Sequence, residues 1–354
     1  MVLIALKSSS IDLQLIRIPE KGQREVLFAE RKVILLDNSQ DPQLYTKQCV
    51  SELASILKQN VKEIQRLTQG KITSTTVLLY APWYTSEISS IAHKEGVIIS
   101  EKFLDAQLKG VATPEGLVNL EKKVIRILAN GYSVTELSQS KFSNISMDVY
   151  ASYISRQTYD TISDTIKLSL PRSGNITYAT SSVLLFRQIK THLVNEDNVT
   201  FVYVGGEITE VGIIEDDSLS SFATFPIGKH DFIREIQGSG RTLDYDLLYQ
   251  KELKMKSDSQ QQRFEALKAQ WADTLIQTVL SYKRDIPSKF LIIADSKSRD
   301  FFANLLTATL ESGRHELMGQ HRIINFDMSH LKDIIIYKTP TLTDELDLQL
   351  EALT

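Results

Sequence analysis

The sequence predicts an α/β chain of two similar lobes with a small α+β insertion in the first, and three observations carry that prediction. A run of three apolar strands joined by tight turns occurs twice. Each run is followed by a helix with one apolar face and then by a short, wholly apolar strand, and extra strands with a helix separate the two halves. The order divides the chain into a first lobe over 1–84, an insertion over 85–157, a return to the first lobe over 158–197 and a second lobe over 198–354.

Val2–Ala5, Ile11–Ile18 and Glu25–Leu36 read as consecutive strands, joined by Lys7-Ser-Ser-Ser10 and by Pro19-Glu-Lys-Gly-Gln23. Leu53, Ile56, Leu57, Asn60, Ile64 and Leu67 keep a three-to-four spacing and predict an amphipathic helix, and Val77-Leu-Leu-Tyr-Ala81 reads as a buried strand. In the insertion, Gly96–Ser100, Val124–Leu128 and Met147–Ile154 read as strands and Glu101–Leu108 as a helix; Ser181–Leu193 is a second helix on the return. Val199–Val204, Val211–Ile214 and Leu219–Phe225 repeat the meander. Phe264, Leu267, Trp271, Leu275 and Val279 repeat the helical stripe, which places Trp271 in the core, and Phe290-Leu-Ile-Ile-Ala294 repeats the buried strand.

A length of 354 residues suits two lobes, and 42% hydrophobic with 24% charged residues describes an ordinary globular chain. The net charge of −4 leaves no electrostatic footprint for nucleic acid. No run reaches the ~18 apolar residues of a spanning helix, and Lys7, Ser8, Ser9, Ser10 and Asp12 interrupt the first apolar segment, so a cytoplasmic chain is expected, meeting a membrane only through a partner. The single Cys49, in a helical pattern, reads as a buried thiol. The six histidines have no metal-ligand spacing and read as surface or capping residues, and the adjacent pair His230-Asp231 points apart. Gly238-Ser-Gly-Arg241 reads as a loop and 251–262 as a solvated helix end with a polar linker. Thr343–Leu353 mixes leucines with acids and has none of the basic residues of a membrane-surface helix.

The stretch Phe201-Val-Tyr-Val-Gly-Gly-Glu-Ile-Thr-Glu-Val-Gly-Ile-Ile214 has the outline of a phosphate-binding strand–turn–strand: an apolar strand, two glycines that allow close backbone approach, and a second strand. Lys7, Ser8, Ser9 and Ser10 form a donor-rich turn after the first strand. Lys7 has two readings, a cation for a phosphorylated ligand or a side chain in solvent, and the plainer second one is favoured.

On these residues the chain resembles the actin-like ATPase superfamily, a duplicated ribonuclease H-like fold, and within it the branch of the division protein FtsA and the pilus-assembly protein PilM. The matches are Ser8-Ser-Ser-Ile-Asp12, Val204-Gly-Gly206 with Thr209, and Phe225-Pro-Ile-Gly-Lys229 leading into a helix. The resemblance implies a phosphate site at Lys7, Ser8, Ser9, Ser10, Gly205, Gly206 and Thr209. The departures imply that it is degenerate: the family's first acid and its following glycine are Ala5 and Lys7, its second acid is Tyr203, a third glycine is Glu207, and its glycine-rich adenosine segment is Ala294-Asp-Ser-Lys297. Metal-assisted phosphoryl chemistry needs carboxylates that Ala5 and Tyr203 cannot supply. The expectation is therefore a scaffold without catalytic residues, metal or nucleotide, whose partner surfaces are the insertion and the interlobe cleft. The partner would be a protein, such as a short segment of an inner-membrane protein, and self-association is open. The alternative is a working ATPase or kinase that uses ATP and magnesium through Asp12, Glu207 or Glu210.

Overall fold

The computed structural model describes residues 1–34, 42–94, 96–134, 140–193, 198–238, 243–249, 255, 257–282, 287–311, 322–325, 335–338 and 346–353. Strands β1 (Val2–Leu6), β2 (Ser10–Arg17) and β3 (Arg24–Val33) form the first meander, and α1 (Pro42–Thr68) carries the chain to β4 (Ser74–Leu79). Every residue of β1 is buried, as a central strand covered on both faces requires. The face of α1 made by Leu53, Ile56, Leu57 and Ile64 packs with Ile4, Leu13 and Val77 into one apolar cluster, which also takes up Cys49.

The insertion follows as β5 (Thr85–His93), β6 (Val97–Ile98), α2 (Glu101–Gly110), β7 (Leu117–Ala129), β8 (Tyr132–Ser133), β9 (Lys141–Phe142) and β10 (Ile145–Ser155). Its main sheet has the order β5-β10-β7-β8. Strand β5 was not predicted, because six of the nine residues of Thr85-Ser-Glu-Ile-Ser-Ser-Ile-Ala-His93 are polar; it forms by pairing with β10 along its full length. The chain returns through α3 (Arg156–Ser169), β11 (Asn175–Thr180) and α4 (Ser181–His192).

The second lobe comprises β12 (Val199–Val204), β13 (Thr209–Glu215), β14 (Ser218–Phe225), α5 (Lys229–Gln237), a 3-10 turn (Tyr245–Tyr249), α6 (Asp258–Leu280), β15 (Lys289–Ile293), α7 (Arg299–Glu311) and β16 (Arg322–Asn325). Its sheet order β14-β13-β12-β15-β16 repeats β3-β2-β1-β4-β11 of the first, with two antiparallel and two parallel pairings in the same places. The duplication inferred from the meanders is thus a duplication of the whole sheet. Trp271 is fully buried, as its place on the α6 stripe predicts.

The far end of the chain returns to the first sheet. Strand β17 (Ile335–Tyr337) lies parallel to β3 at the edge of the first sheet, and α8 (Leu346–Glu351) packs against α4. Leu350 and Ala352 belong to the apolar cluster between the lobes, with Leu3 and Ala5 of β1, Val183 and Ile189 of α4, and Phe201 and Tyr203 of β12. Leu350, Glu351 and Ala352 are therefore interior. Run 251–254, the Ser239–Arg241 part of the predicted loop, and His315, His321 and His330 lie outside the described residues.

Candidate functional site

The turn between β1 and β2 brings Lys7 to the floor of the interlobe cleft, and the structure corrects its expected place in solvent. Lys7 is 5% exposed, and its Nζ lies 2.7 Å from Asp12 Oδ2, 2.6 Å from Glu351 Oε1 and 5.1 Å from the centre of the Tyr80 ring. Asp12 also accepts from Arg31 through both oxygens, at 2.6 and 2.8 Å. The backbone of the turn is fixed as well. The Trp83 indole N–H donates to the Lys7 carbonyl at 3.0 Å, and the Tyr45 hydroxyl donates to that of Ser8 at 3.0 Å.

The second-lobe turn meets this one directly. The Glu207 N–H donates to Ser8 Oγ at 3.1 Å, and a Cβ placed on Gly206 would fall 1.7 Å from Ser9 Oγ, so only a glycine lets the two turns touch. The N-terminus of α5, a feature that favours anions, faces its own turn: Lys229 N–H donates to Gly205 O at 3.0 Å and His230 N–H to Gly206 O at 2.8 Å. Asp231 closes the same end by accepting from Gly228 N–H at 2.8 Å.

Each candidate carboxylate has protein partners. Glu207 accepts from His230 Nδ1 at 2.9 Å and from Arg234 at 2.9 and 2.6 Å. Burial alone would raise its pKa, but these bonds and the guanidinium charge outweigh that and hold it at about 2. His230, expected at the surface, is 1% exposed; burial pushes its pKa down, so at neutral pH it is an uncharged donor and Arg234 supplies the charge. Glu210 is buried and crosses between the lobes, accepting from Ala81 N–H at 2.6 Å and Ser181 Oγ at 2.8 Å. Desolvation raises its pKa to about 7 against the opposing pull of those donors and of Lys7. Asp295 accepts from Lys297 N–H and Ser298 N–H at the start of α7 and forms an ion pair with Lys229.

Where the resemblance places the second acid, Tyr203 lies 5.1 Å from Tyr80, ring centre to ring centre, inside the interlobe cluster. A cavity of about 170 Å³ remains beside it, lined by Lys7, Ser9, Ser10, Arg31, Gly205, Gly206, Lys229, His230, Asp295 and Lys297, among others. That is below the ~300 Å³ at which pockets for drug-sized ligands begin. Its cations Lys7, Arg31, Lys229 and Lys297 are matched by the carboxylates Asp12, Glu351, Asp295 and Asp246. Among the described residues no three His, Cys, Asp or Glu side chains are arranged to hold a metal ion.

Five of the seven predicted site residues, Lys7, Ser9, Ser10, Gly205 and Gly206, thus border one cavity. Ser8 forms the seam between the turns. Thr209 is not on the cavity; its hydroxyl donates to Ile227 O at 2.7 Å and accepts from Trp271 Nε1 at 3.1 Å. Asp12 was singled out in the sequence only as a candidate metal carboxylate; the meander sets it opposite Ala5, and its side chain pairs with Lys7. Glu351 was not singled out, since no local pattern links it to a residue at the other end of the chain.

No family model matches the sequence, and no curated protein matches it. Solved structures do match. A chain of the PilM–PilN type IV pilus biogenesis complex is 11% identical with a TM-score of 0.64, over 99% of this chain and 96% of that one. A Bacteroides thetaiotaomicron protein with an actin-like ATPase fold and unknown function is 9% identical with a TM-score of 0.41, over 91% and 90% of the two chains. The ethanolamine utilization protein EutJ from Carboxydothermus hydrogenoformans is 9% identical with a TM-score of 0.43, over 92% and 83%. Of these three, the first alone has a TM-score above 0.5, and with the duplicated sheet order it shows the fold: the chain has the bilobed actin-like ATPase fold, in a form similar to that of the pilus-biogenesis chain.

Proposed function

We propose that this protein is a scaffold or adaptor of actin-like fold that no longer hydrolyses ATP and that serves a protein partner of a cell-division or pilus-assembly type of envelope complex. The observation that carries the reading is the seam at Ser8, Ser9 and Gly206, with Lys7 held between Asp12 and Glu351. The resemblance implies that a bound nucleotide would set its phosphates between the two turns. Here the turns touch, and the cation that would meet a phosphate has two carboxylate partners.

The likeness to a chain solved in a complex of two proteins supports a protein partner, such as a short segment of an inner-membrane protein. Partner docking is assigned to the insertion over 85–157 and the interlobe cleft, with the protein at the inner face of the membrane through that partner. No helix among the described residues is long and apolar enough to cross a membrane. The alternative, an ATPase or kinase using Asp12, Glu207 or Glu210, requires these acids to leave Arg31, Arg234 and Ser181 respectively before they can position magnesium.

The test is phosphate release from ATP with magnesium by the purified chain, with and without EDTA. The expected result is no release above the blank. Release that requires magnesium and is lost in Asp12→Asn or Glu207→Gln would establish the enzyme instead.

A further inference from the structure

By sequence, β17 and α8 belong to the second half of the chain, yet both sit on the first lobe. Lys338 N–H donates to Val26 O at 2.9 Å beside β3, and Arg24 Nη1 donates to Ala352 O at 2.9 Å. Between these ties the Glu351 carboxylate is fully buried. One oxygen lies 2.6 Å from Lys7 Nζ, and the other accepts from Gln14 Nε2 at 3.1 Å.

Burying a carboxylate is costly unless charge and hydrogen bonds compensate it. Here the first sheet supplies both, from β2 and the turn that precedes it. Among the described residues Lys7 and Arg31 bring two positive charges to the cluster, and Asp12 and Glu351 two negative. Removing Glu351 takes one of those negative charges away from the buried Lys7. The same lysine heads the turn whose next residues form the seam, so direct contacts run from Glu351 through Lys7 to Ser8, Ser9 and Gly206.

We propose that residues 346–353 act as an intramolecular ligand: the Glu351 carboxylate fills an anion-binding site made by Lys7 and Gln14, and its presence holds the Lys7–Ser10 turn against the second lobe. The class of ligand the site takes is a carboxylate. A site emptied of Glu351 while its lysine remains accepts a small free carboxylate in its place.

The test uses the full chain as Glu351→Ala, Glu351→Gln and Lys7→Met/Glu351→Ala, with thermal melting in formate, acetate or chloride at equal ionic strength. Amide hydrogen exchange over the turns at 7–10 and 205–208 is read in parallel. Glu351→Ala is expected to lower the melting temperature by roughly 5 °C or more. Formate and acetate, but not chloride, recover part of that loss, and the double variant shows no recovery. Glu351→Gln, which keeps the shape and removes the charge, is expected to speed exchange in both turns and remains informative if the alanine variant does not fold. Glu351→Gln with wild-type melting and exchange would overturn the proposal. So would equal stabilisation of wild type and Glu351→Ala by formate, or faster exchange confined to 335–353.

Discussion

The rings of Tyr80 and Tyr203, one from each lobe, lie 5.1 Å apart at a tilt of 34°, and Lys7 Nζ stands 5.1 Å from the centre of the first. An interlobe aromatic contact thus occupies the position at which the actin-like pattern places its second acid. Tyr203 is 5% exposed and belongs to the apolar cluster that joins the two sheets, so its environment suits a ring and not a hydrated metal ligand.

Restoring that acid tests the point. Tyr203→Asp is expected to lower stability by about 3 kcal/mol or more, since it removes a ring from the buried interlobe cluster. It is expected to confer no nucleotide binding. The urea midpoint reads the first outcome and a titration with ATP and magnesium the second.

The seam between the turns depends on space. Gly206→Ala places a Cβ against Ser9 and within 2.9 Å of His230 Cε1, and is expected to cost about 1–3 kcal/mol. Ser9→Gly in the same chain removes the nearer obstruction, so the double variant should recover part of that loss. A double-mutant cycle on denaturant midpoints would show coupling; additive losses would mean the turns do not meet as described.

Glu210 gives stability a pH dependence of defined sign. Its folded pKa of about 7 lies above the unfolded value near 4.5, so between those values the folded state holds a proton that the unfolded state has released. Its contribution is fully present below about pH 4.5, falls as pH rises and is lost above about pH 7, a change of about 3 kcal/mol. Glu210→Gln should flatten the fall in unfolding free energy between pH 5 and 8. An unchanged slope would place the titration elsewhere.

Asp12 is fully buried between Lys7 and Arg31, and Asp12→Ala takes a carboxylate from the buried Lys7 and the part-buried Arg31. The expected cost is about 3–5 kcal/mol, read from equilibrium unfolding. A loss below about 1 kcal/mol, the scale of a surface pair, would mean that water reaches the cluster.

How much of this was readable in advance followed from the range of each signal. The central strands β1, β12 and β15 were legible because they are continuous apolar runs, and α1 and α6 because they carry a helical stripe, whereas the edge strands β11, β16 and β17 were not. β5 was missed because a half-exposed strand takes its shape from β10 and carries little pattern of its own. The cavity residues Lys7, Ser9, Ser10, Gly205 and Gly206 were found from turn chemistry. Arg31 and Asp295, which border the same cavity, and Glu351, the partner of Lys7, were not, because ion pairs between residues distant in sequence leave no local trace. The same limit hid the docking of α8 on the first lobe.

The central claim of the proposal is that, among the described residues, the buried charged groups at the cleft, Lys7, Asp12, Arg31 and Glu351, pair with one another rather than with a nucleotide. Calorimetric titration of the purified chain with ATP and with ADP, each with magnesium, tests it most directly, with a melting curve alongside. The account predicts no heat of binding and no stabilisation up to millimolar nucleotide. Micromolar binding that requires magnesium, with the roughly 2.7 kcal/mol of added stability expected at a hundred times the dissociation constant, would contradict it.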